Sequence, residues 1–319
     1  MNVVMMGKSN FKMKIRCFDQ RFLVSSAPLV PTIQLPSQME THLWYILPHE
    51  VKDKHLLDQY VELLSPSEKE NVLSMNGKDL RQRALLARTL VRTTIARYQI
   101  NSQVCPRSLK FRKNMHGKPE VEWPNGNNQQ QLHFNLSHTP TLIACGVTMN
   151  SPIGIDVEEK ERGIKNDIMA FARRYFSLHE VEFLASIPDP ELQRQELIKL
   201  WTLKEAYVKA VGKGFSSFPF KTFTIKYAAV CANRSRNITS ISKSDKEIIV
   251  DSVESSPCTE SSNWNFMNLE LAGSHYAAIC KQNDGQIGKD GVPMKLNVWK
   301  TIPFVTDTCV SGTDEVIYI

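Results

Sequence analysis

In Ile153-Gly154-Ile155-Asp156-Val157-Glu158 the apolar residues alternate with glycine, aspartate and glutamate. On a strand, Asp156 and Glu158 then share a face, about 7 Å apart along the chain. Two carboxylates so placed can converge on one hard divalent cation such as Mg²⁺, which completes its shell with water and substrate phosphate. The same pattern also describes the wet face of an amphipathic strand. Further on, Lys199-Leu200-Trp201-Thr202-Leu203-Lys204-Glu205-Ala206-Tyr207-Val208-Lys209 is strongly helical. Its Trp201, Glu205 and Lys209 fall four residues apart and line one stripe. Glu205 could add a third carboxylate and Lys209 could neutralise a phosphate; a routine surface pair beside a core tryptophan has the same spacing. Ser137-His138 closes an apolar run, Leu132–Leu136. Adjacent residues do not readily form a nucleophile–base pair, and no Gly-x-Ser-x-Gly elbow is present. A phosphate contact or a structural histidine remains.

The elements that must position these groups follow from pattern. A strand is expected at Leu43–Leu47, a helix from the Ser65-Pro66-Ser67-Glu68 start, and a helix over 80–98. In that helix the apolar residues Leu85, Leu86, Leu90, Val91 and Ile95 keep helical spacing. Arg81, Arg83, Arg88, Arg92 and Arg97 surround them, most expected on a solvated face. A short strand at 109–112, a turn at His116-Gly117-Lys118-Pro119 and an Asn/Gln-rich loop at 125–131 precede strands at 132–136, 142–147 and 153–158. Helices are expected at 167–185 and 191–211, the latter closed by Gly212-Lys213-Gly214, and strands at 222–227 and 269–280. Residues 231–263 are polar and Ser-rich and read as an insertion around one short strand at 247–250. The two halves thus offer similar sets of strands and helices. An α/β (α+β), pseudo-duplicated protein of two subdomains, 41–151 and 152–300, with a cleft between them and a tail at 301–319, is expected.

Composition narrows the classes. The 319 residues carry a net charge of +6 and are 42% hydrophobic, ordinary for a globular chain of about two domains. No run of about 18 apolar residues provides a membrane span. Seven scattered cysteines include no CxxC pair and no zinc-type spacing, so reduced thiols are expected. Residues 1–39 hold five basic residues and one acid, hence +4 of the +6. A basic, acid-poor leader at 1–40 suits an organelle transit peptide, and a mitochondrial destination is expected, with cytosol or plastid as alternatives.

Taken in order, GKP (117–119), FNLSHT (134–139), PIGIDVE (152–158) and WTLKEAYVKAVGKG (201–214) give a chain that resembles the 4′-phosphopantetheinyl transferases of the long single-chain class. The resemblance runs from about Leu64 to Lys226 and extends toward Cys280. It implies two similar α/β halves with coenzyme A and Mg²⁺ between them. It also implies transfer of the phosphopantetheine arm to a serine of an apo acyl carrier protein, with release of 3′,5′-ADP. Carried over by motif, Asp156, Glu158 and Glu205 would bind the metal, and Lys209 would contact phosphate and assist proton transfer. Lys118, Ser137 and His138 would contact coenzyme A. Arg83 would bind its 3′-phosphate, and Lys69 is a further carry-over whose register is open by a residue or two. Glu205, directly or through a metal-bound water, is the first candidate for general base, Lys209 the second, with Asp156 in the catalytic set.

A monomer with no nucleic-acid partner is expected. A Mg²⁺ nuclease would need basic residues interleaved with stacking aromatics, which are missing. A non-catalytic carrier-binding module would not need all three carboxylates and Lys209. The native carrier and the use of acyl-coenzyme A stay open.

Overall fold

A computed structural model describes residues 30–98, 104–122, 132–164, 167–214, 217–229, 246–252, 264–283 and 294–319. The leader through residue 29, the Asn/Gln-rich loop and most of the Ser-rich segment lie outside the described residues. In chain order the first half contributes β1 (Glu40–Ile46), α1 (Lys54–Leu63), α2 (Pro66–Leu73), α3 (Lys78–Arg97), the hairpin β2 (Lys110–Lys113) and β3 (Pro119–Glu122), then β4 (Leu132–His138) and β5 (Ile143–Met149). The second half follows with β6 (Ile153–Glu159), α4 (Ile168–Tyr175), α5 (Leu178–Ala185), α6 (Pro190–Val211) and the hairpins β7 (Phe223–Ala229)–β8 (Lys246–Ser252) and β9 (Trp264–Leu271)–β10 (His275–Gln282). The chain continues through β11 (Lys295–Ile302), β12 (Thr306–Cys309) and β13 (Val316–Tyr318).

Local chemistry sets the boundaries. Ser65 and Glu68 form a reciprocal capping box at the start of α2, and Asp189 caps α6 through the Leu192 amide. Gly212, at φ 75°, supplies the left-handed residue that closes α6. The single helix expected over 167–185 is two, because Ser177 and Glu180 form a second capping box and start α5 afresh. The strand expected over 269–280 is likewise a hairpin, turned at Ala272 and Gly273, both at positive φ.

The architecture is four layers: helices, sheet, sheet, helices. The first sheet has the order β12-β11-β1-β5-β4, the second β13-β9-β10-β6. Side-chain alternation assigns the faces. In β1, Trp44 and Ile46 point into the core under α3, whereas Leu43 and Tyr45 point into the core between the sheets. In β10, Ala277 and Ile279 enter that same inter-sheet core, whereas Ala278 and Cys280 lie under α6. In β6, Ile153, Ile155 and Val157 also face the inter-sheet core. Gly154, Asp156 and Glu158 are therefore turned toward α6.

Two further expectations change. The arginines of α3 are not mostly solvated: of the five only Arg81 is exposed, and Arg92 and Arg97 are each 2% exposed. Helices α1 and α2 and the segment 104–109 cover the polar side of α3, so its charges need partners. Arg92 pairs with Glu68 (2.6 Å), donates to the carbonyls of Pro106, Arg107 and Leu109, and stacks on Phe111. Arg97 pairs with Asp307 (2.8 Å) and stacks on Trp44. Residues 301–319, expected as a C-terminal tail, carry strands of both sheets. Strand β11 joins the first sheet parallel to β1, β12 extends that sheet, and β13 forms an edge of the second.

Candidate functional site

The site lies where edge strand β4 of the first sheet meets edge strand β6 of the second. No backbone ladder joins them. Instead Asn135 Oδ1 accepts from the Ile155 amide (2.8 Å) and Ser137 Oγ accepts from the Val157 amide (3.2 Å). Side chains of one half thus satisfy backbone donors of the other. Ser137 Oγ also donates to Asp156 Oδ1 (2.9 Å), and Lys209 Nζ meets the same carboxylate oxygen at 2.6 Å. Lys209 Nζ also lies 3.1 Å from Ser137 Oγ. The other oxygen, Asp156 Oδ2, is buried and has no hydrogen-bond partner. A buried, unsatisfied carboxylate oxygen is costly unless another group completes it.

Two further carboxylates stand near it. Burial, followed by the charge of Asp156, pushes the Glu158 carboxyl up to about 7, while Arg162, its ion-pair partner, pulls the other way. Burial and then Asp156 also raise Glu205 above the ordinary carboxylate range. Three acids within electrostatic reach of one another, one with an orphaned oxygen, fit a hard divalent cation in the chemistry of their donors. As the side chains stand, no group of three His, Cys, Asp or Glu among the described residues is gathered closely enough to hold an ion. Lys209 is ion-paired with Asp156 and Arg162 with Glu158.

Cationic groups gather at the same place. His138, at the end of β4, is lowered by burial and then by the neighbouring charges of Lys209 and Arg83. Arg83 Nε is buried without a partner. Arg83, His138 and Lys209 therefore converge, a concentration of positive potential suited to an anion. The two other carried-over lysines are placed differently. Lys69 pairs with Glu62 across α1 and α2 (2.8 Å). Lys118 Nζ donates to two backbone carbonyls, Ile153 (2.8 Å) and Lys209 (2.7 Å), and burial lowers it to about 8.

The structure adds residues that sequence reading left without a role. A Cβ at Gly154 would lie 2.0 Å from the Ala206 carbonyl oxygen and 2.3 Å from the Ala210 nitrogen. Glycine thus allows the backbone of α6 to rest on β6; a lone glycine in a β-branched run is the signal for such an approach. Lys204 is wholly buried, pairs with Glu180 (2.5 Å), donates to the Phe223 carbonyl (2.8 Å) and lies over the Phe223 ring. Its partner is 24 residues away, on a separate helix. Trp201, expected on the stripe of Glu205 and Lys209, packs against Phe171, Tyr175 and Phe220 under the Arg162 guanidinium. A cavity of about 380 Å³ between Arg162, Ile164, Phe171, Leu197 and Trp201 opens beside it.

Comparison with known proteins places the chain in a family. Residues 152–279 match the family model of the 4′-phosphopantetheinyl transferase superfamily, and residues 52–148 that of the 4′-phosphopantetheinyl transferase N-terminal region. The chain is 33% identical over 191 residues to the 4′-phosphopantetheinyl transferase HetI of Nostoc, covering 59% of this chain and 75% of that one. It is 31% identical over 170 residues to the 4′-phosphopantetheinyl transferase Sfp of Bacillus subtilis, covering 53% and 69%. To the human L-aminoadipate-semialdehyde dehydrogenase-phosphopantetheinyl transferase it is 24% identical over 157 residues, covering 48% and 50%.

Proposed function

Because this chain belongs to the 4′-phosphopantetheinyl transferase superfamily, we propose that it moves the 4′-phosphopantetheine arm of coenzyme A onto a serine of an apo carrier protein. The observation that carries this reading is the mixed charge gathered at Asp156. Its orphaned oxygen belongs to a carboxylate within electrostatic reach of two further acids, Glu158 and Glu205, and of the cationic groups Lys209 and His138, the latter also facing Arg83.

In the reaction the serine oxygen forms a bond to the β-phosphorus of coenzyme A. The bond from that phosphorus to the bridging oxygen breaks, and 3′,5′-ADP leaves with the electron pair. Arg83 and His138 bind phosphate oxygens of coenzyme A, and Lys209 neutralises charge on the transferring group. Ser137 holds Asp156 and β6 in place through its hydroxyl. The serine proton passes to Glu205, which burial and the charge of Asp156 make a stronger base than an ordinary carboxylate. Lys209 is the second candidate, already ion-paired to Asp156. Asp156, Glu158 and Glu205 would hold a Mg²⁺, which when bound supplies positive charge to the pyrophosphate oxygens. The likeness to Sfp, HetI and the human transferase supports the reaction class; the carboxylate set supports the metal.

The test is direct. The protein is incubated with apo carrier proteins of the fatty-acid, peptide and lysine-pathway types, coenzyme A and Mg²⁺, and the carriers are weighed. A gain of one phosphopantetheine on at least one carrier is expected, abolished by a chelator. No gain on any of them would overturn the proposal.

A further inference from the structure

We propose that Lys118 is a positioning residue for the transfer reaction, a clasp by which the first half fixes α6 onto β6 and so sets Lys209 and Glu205 against Asp156. This rests on the function proposed above. Lys118 comes from the β2–β3 hairpin, on the other half of the molecule from both elements that it touches. The turn that delivers it is closed: Asn114 Oδ1 accepts from the amides of His116 and Lys118, both at 2.9 Å, and Gly117 adopts φ 87°. The Asn114 amide also donates to the Lys118 carbonyl (2.9 Å).

The Lys118 ammonium then reaches two carbonyls. One, Lys209, belongs to the last turn of α6, where carbonyls lack intrahelical partners and a cation is favoured. The other, Ile153, is the first residue of β6. These are the backbones behind the two ends of the Lys209–Asp156 ion pair. Gly154, between them, is the point where helix and strand backbones touch. The stem of Lys118 also runs beside Gly212, the helix-closing residue: a Cβ there would lie 3.6 Å from Lys118 Cδ. A lysine whose task was to hold an anion would keep its ammonium for that anion. Two of the three donors of this one are committed to carbonyls, so its work is to hold the frame. Placement matters because a misplacement of about 1 Å can cost about 10²-fold in rate.

The experiment compares Lys118→Met with Lys118→Arg in the full chain. Four quantities are read: kcat and KM for coenzyme A with an apo carrier, affinity for 3′,5′-ADP by calorimetry, and amide exchange across residues 205–213. The clasp predicts that Lys118→Met lowers kcat roughly 10- to 100-fold. It also predicts faster exchange in the last turn of α6 and 3′,5′-ADP affinity within about twofold of the parent. Lys118→Arg, which can still donate to both carbonyls, restores protection and kcat together. A tenfold or greater loss of 3′,5′-ADP affinity with unchanged kcat at saturation would make Lys118 a ligand contact and overturn the proposal. Faster exchange with unchanged kcat would make it merely structural and overturn it equally. Should Lys118→Met not fold, Lys118→Gln, whose amide nitrogen sits on a side chain one atom shorter, is held to the same criteria. If the parent transfers nothing to any carrier, the functional reading fails on its own; the exchange arm still reports whether the clasp holds α6.

Discussion

Helix α3 in the first half and helix α6 in the second do the same architectural job, each lying along the outer face of one sheet. Both bury cations. In α3, Arg92 and Arg97 are matched by Glu68 and Asp307 and stacked on Phe111 and Trp44. In α6, Lys204 is matched by Glu180 among Phe176, Phe220 and Phe223. Up to this point the two helices follow the same rule, that a buried charge must be paired. They part at the strand beneath. Under α3 the facing residues of β5, such as Cys145 and Val147, are apolar. Under α6 the facing residues of β6 are Asp156 and Glu158, and the helix adds a third acid. Repeating a scaffold supplies two similar frames; the carboxylates that the chemistry needs stand under only one of the two helices.

That contrast can be broken at several places. The largest effect is expected at Asp156. Asp156→Ala should lower transfer at least about 10³-fold, the scale of losing a central electrostatic element, with the thermal midpoint little changed. Normal turnover in that variant would remove Asp156 from the site. The matching change in α3 should do the reverse. Arg92→Met leaves Glu68 unpaired and three carbonyls without their donor, and should cost about 3 kcal/mol of stability in urea unfolding. Turnover per folded molecule should stay within about twofold; a large fall would mean that Arg92 serves the site as well as the frame.

A smaller effect concerns His42, buried where β1 meets α3. The Trp44 indole donates to the Tyr98 hydroxyl (2.9 Å), and that hydroxyl lies 2.9 Å from His42 Nδ1. Burial lowers His42 to about 4 from an ordinary 6.5. The unfolded chain therefore takes up this proton first as pH falls. Its contribution is intact above about pH 6.5 and is lost between there and pH 4, on the order of 2–3 kcal/mol. Stability of His42→Gln measured against pH should lack that part of the acid limb, and an unchanged limb would contradict the assignment.

What the sequence made legible follows from short-range repetition. The alternation at 153–158 was enough to put Asp156 and Glu158 on one face, and the spacing of four was enough to put Glu205 and Lys209 on one side of α6. Both rest on periods of the backbone, which any observer of the chain can count. The pairing of Lys204 with Glu180, of Arg97 with Asp307 and of Lys118 with two distant carbonyls could not be counted in this way. Each depends on which elements the topology brings together, 24 to 210 residues apart. The arginines of α3 illustrate the cost of local reading: their spacing describes a wet face, and the fold covers that face. The resemblance to a transferase family carried Lys118 in as a ligand contact; only its position shows the carbonyls that it holds.

The first strand of the fold is completed late. Strand β1 pairs on one side with β5, about a hundred residues on, but on the other with β11, Glu40 lying opposite Lys295 across 255 residues of chain. A ribosome adding about 5–20 residues per second reaches β11 roughly 13–50 s after β1. During that interval one edge of β1 has no partner, and Arg97 awaits Asp307, its carboxylate. The first half is thus made early and finished last, so a nascent chain needs its final strands before either sheet is whole. Stalled or truncated synthesis would leave an open β edge, the kind of surface on which unfinished proteins aggregate.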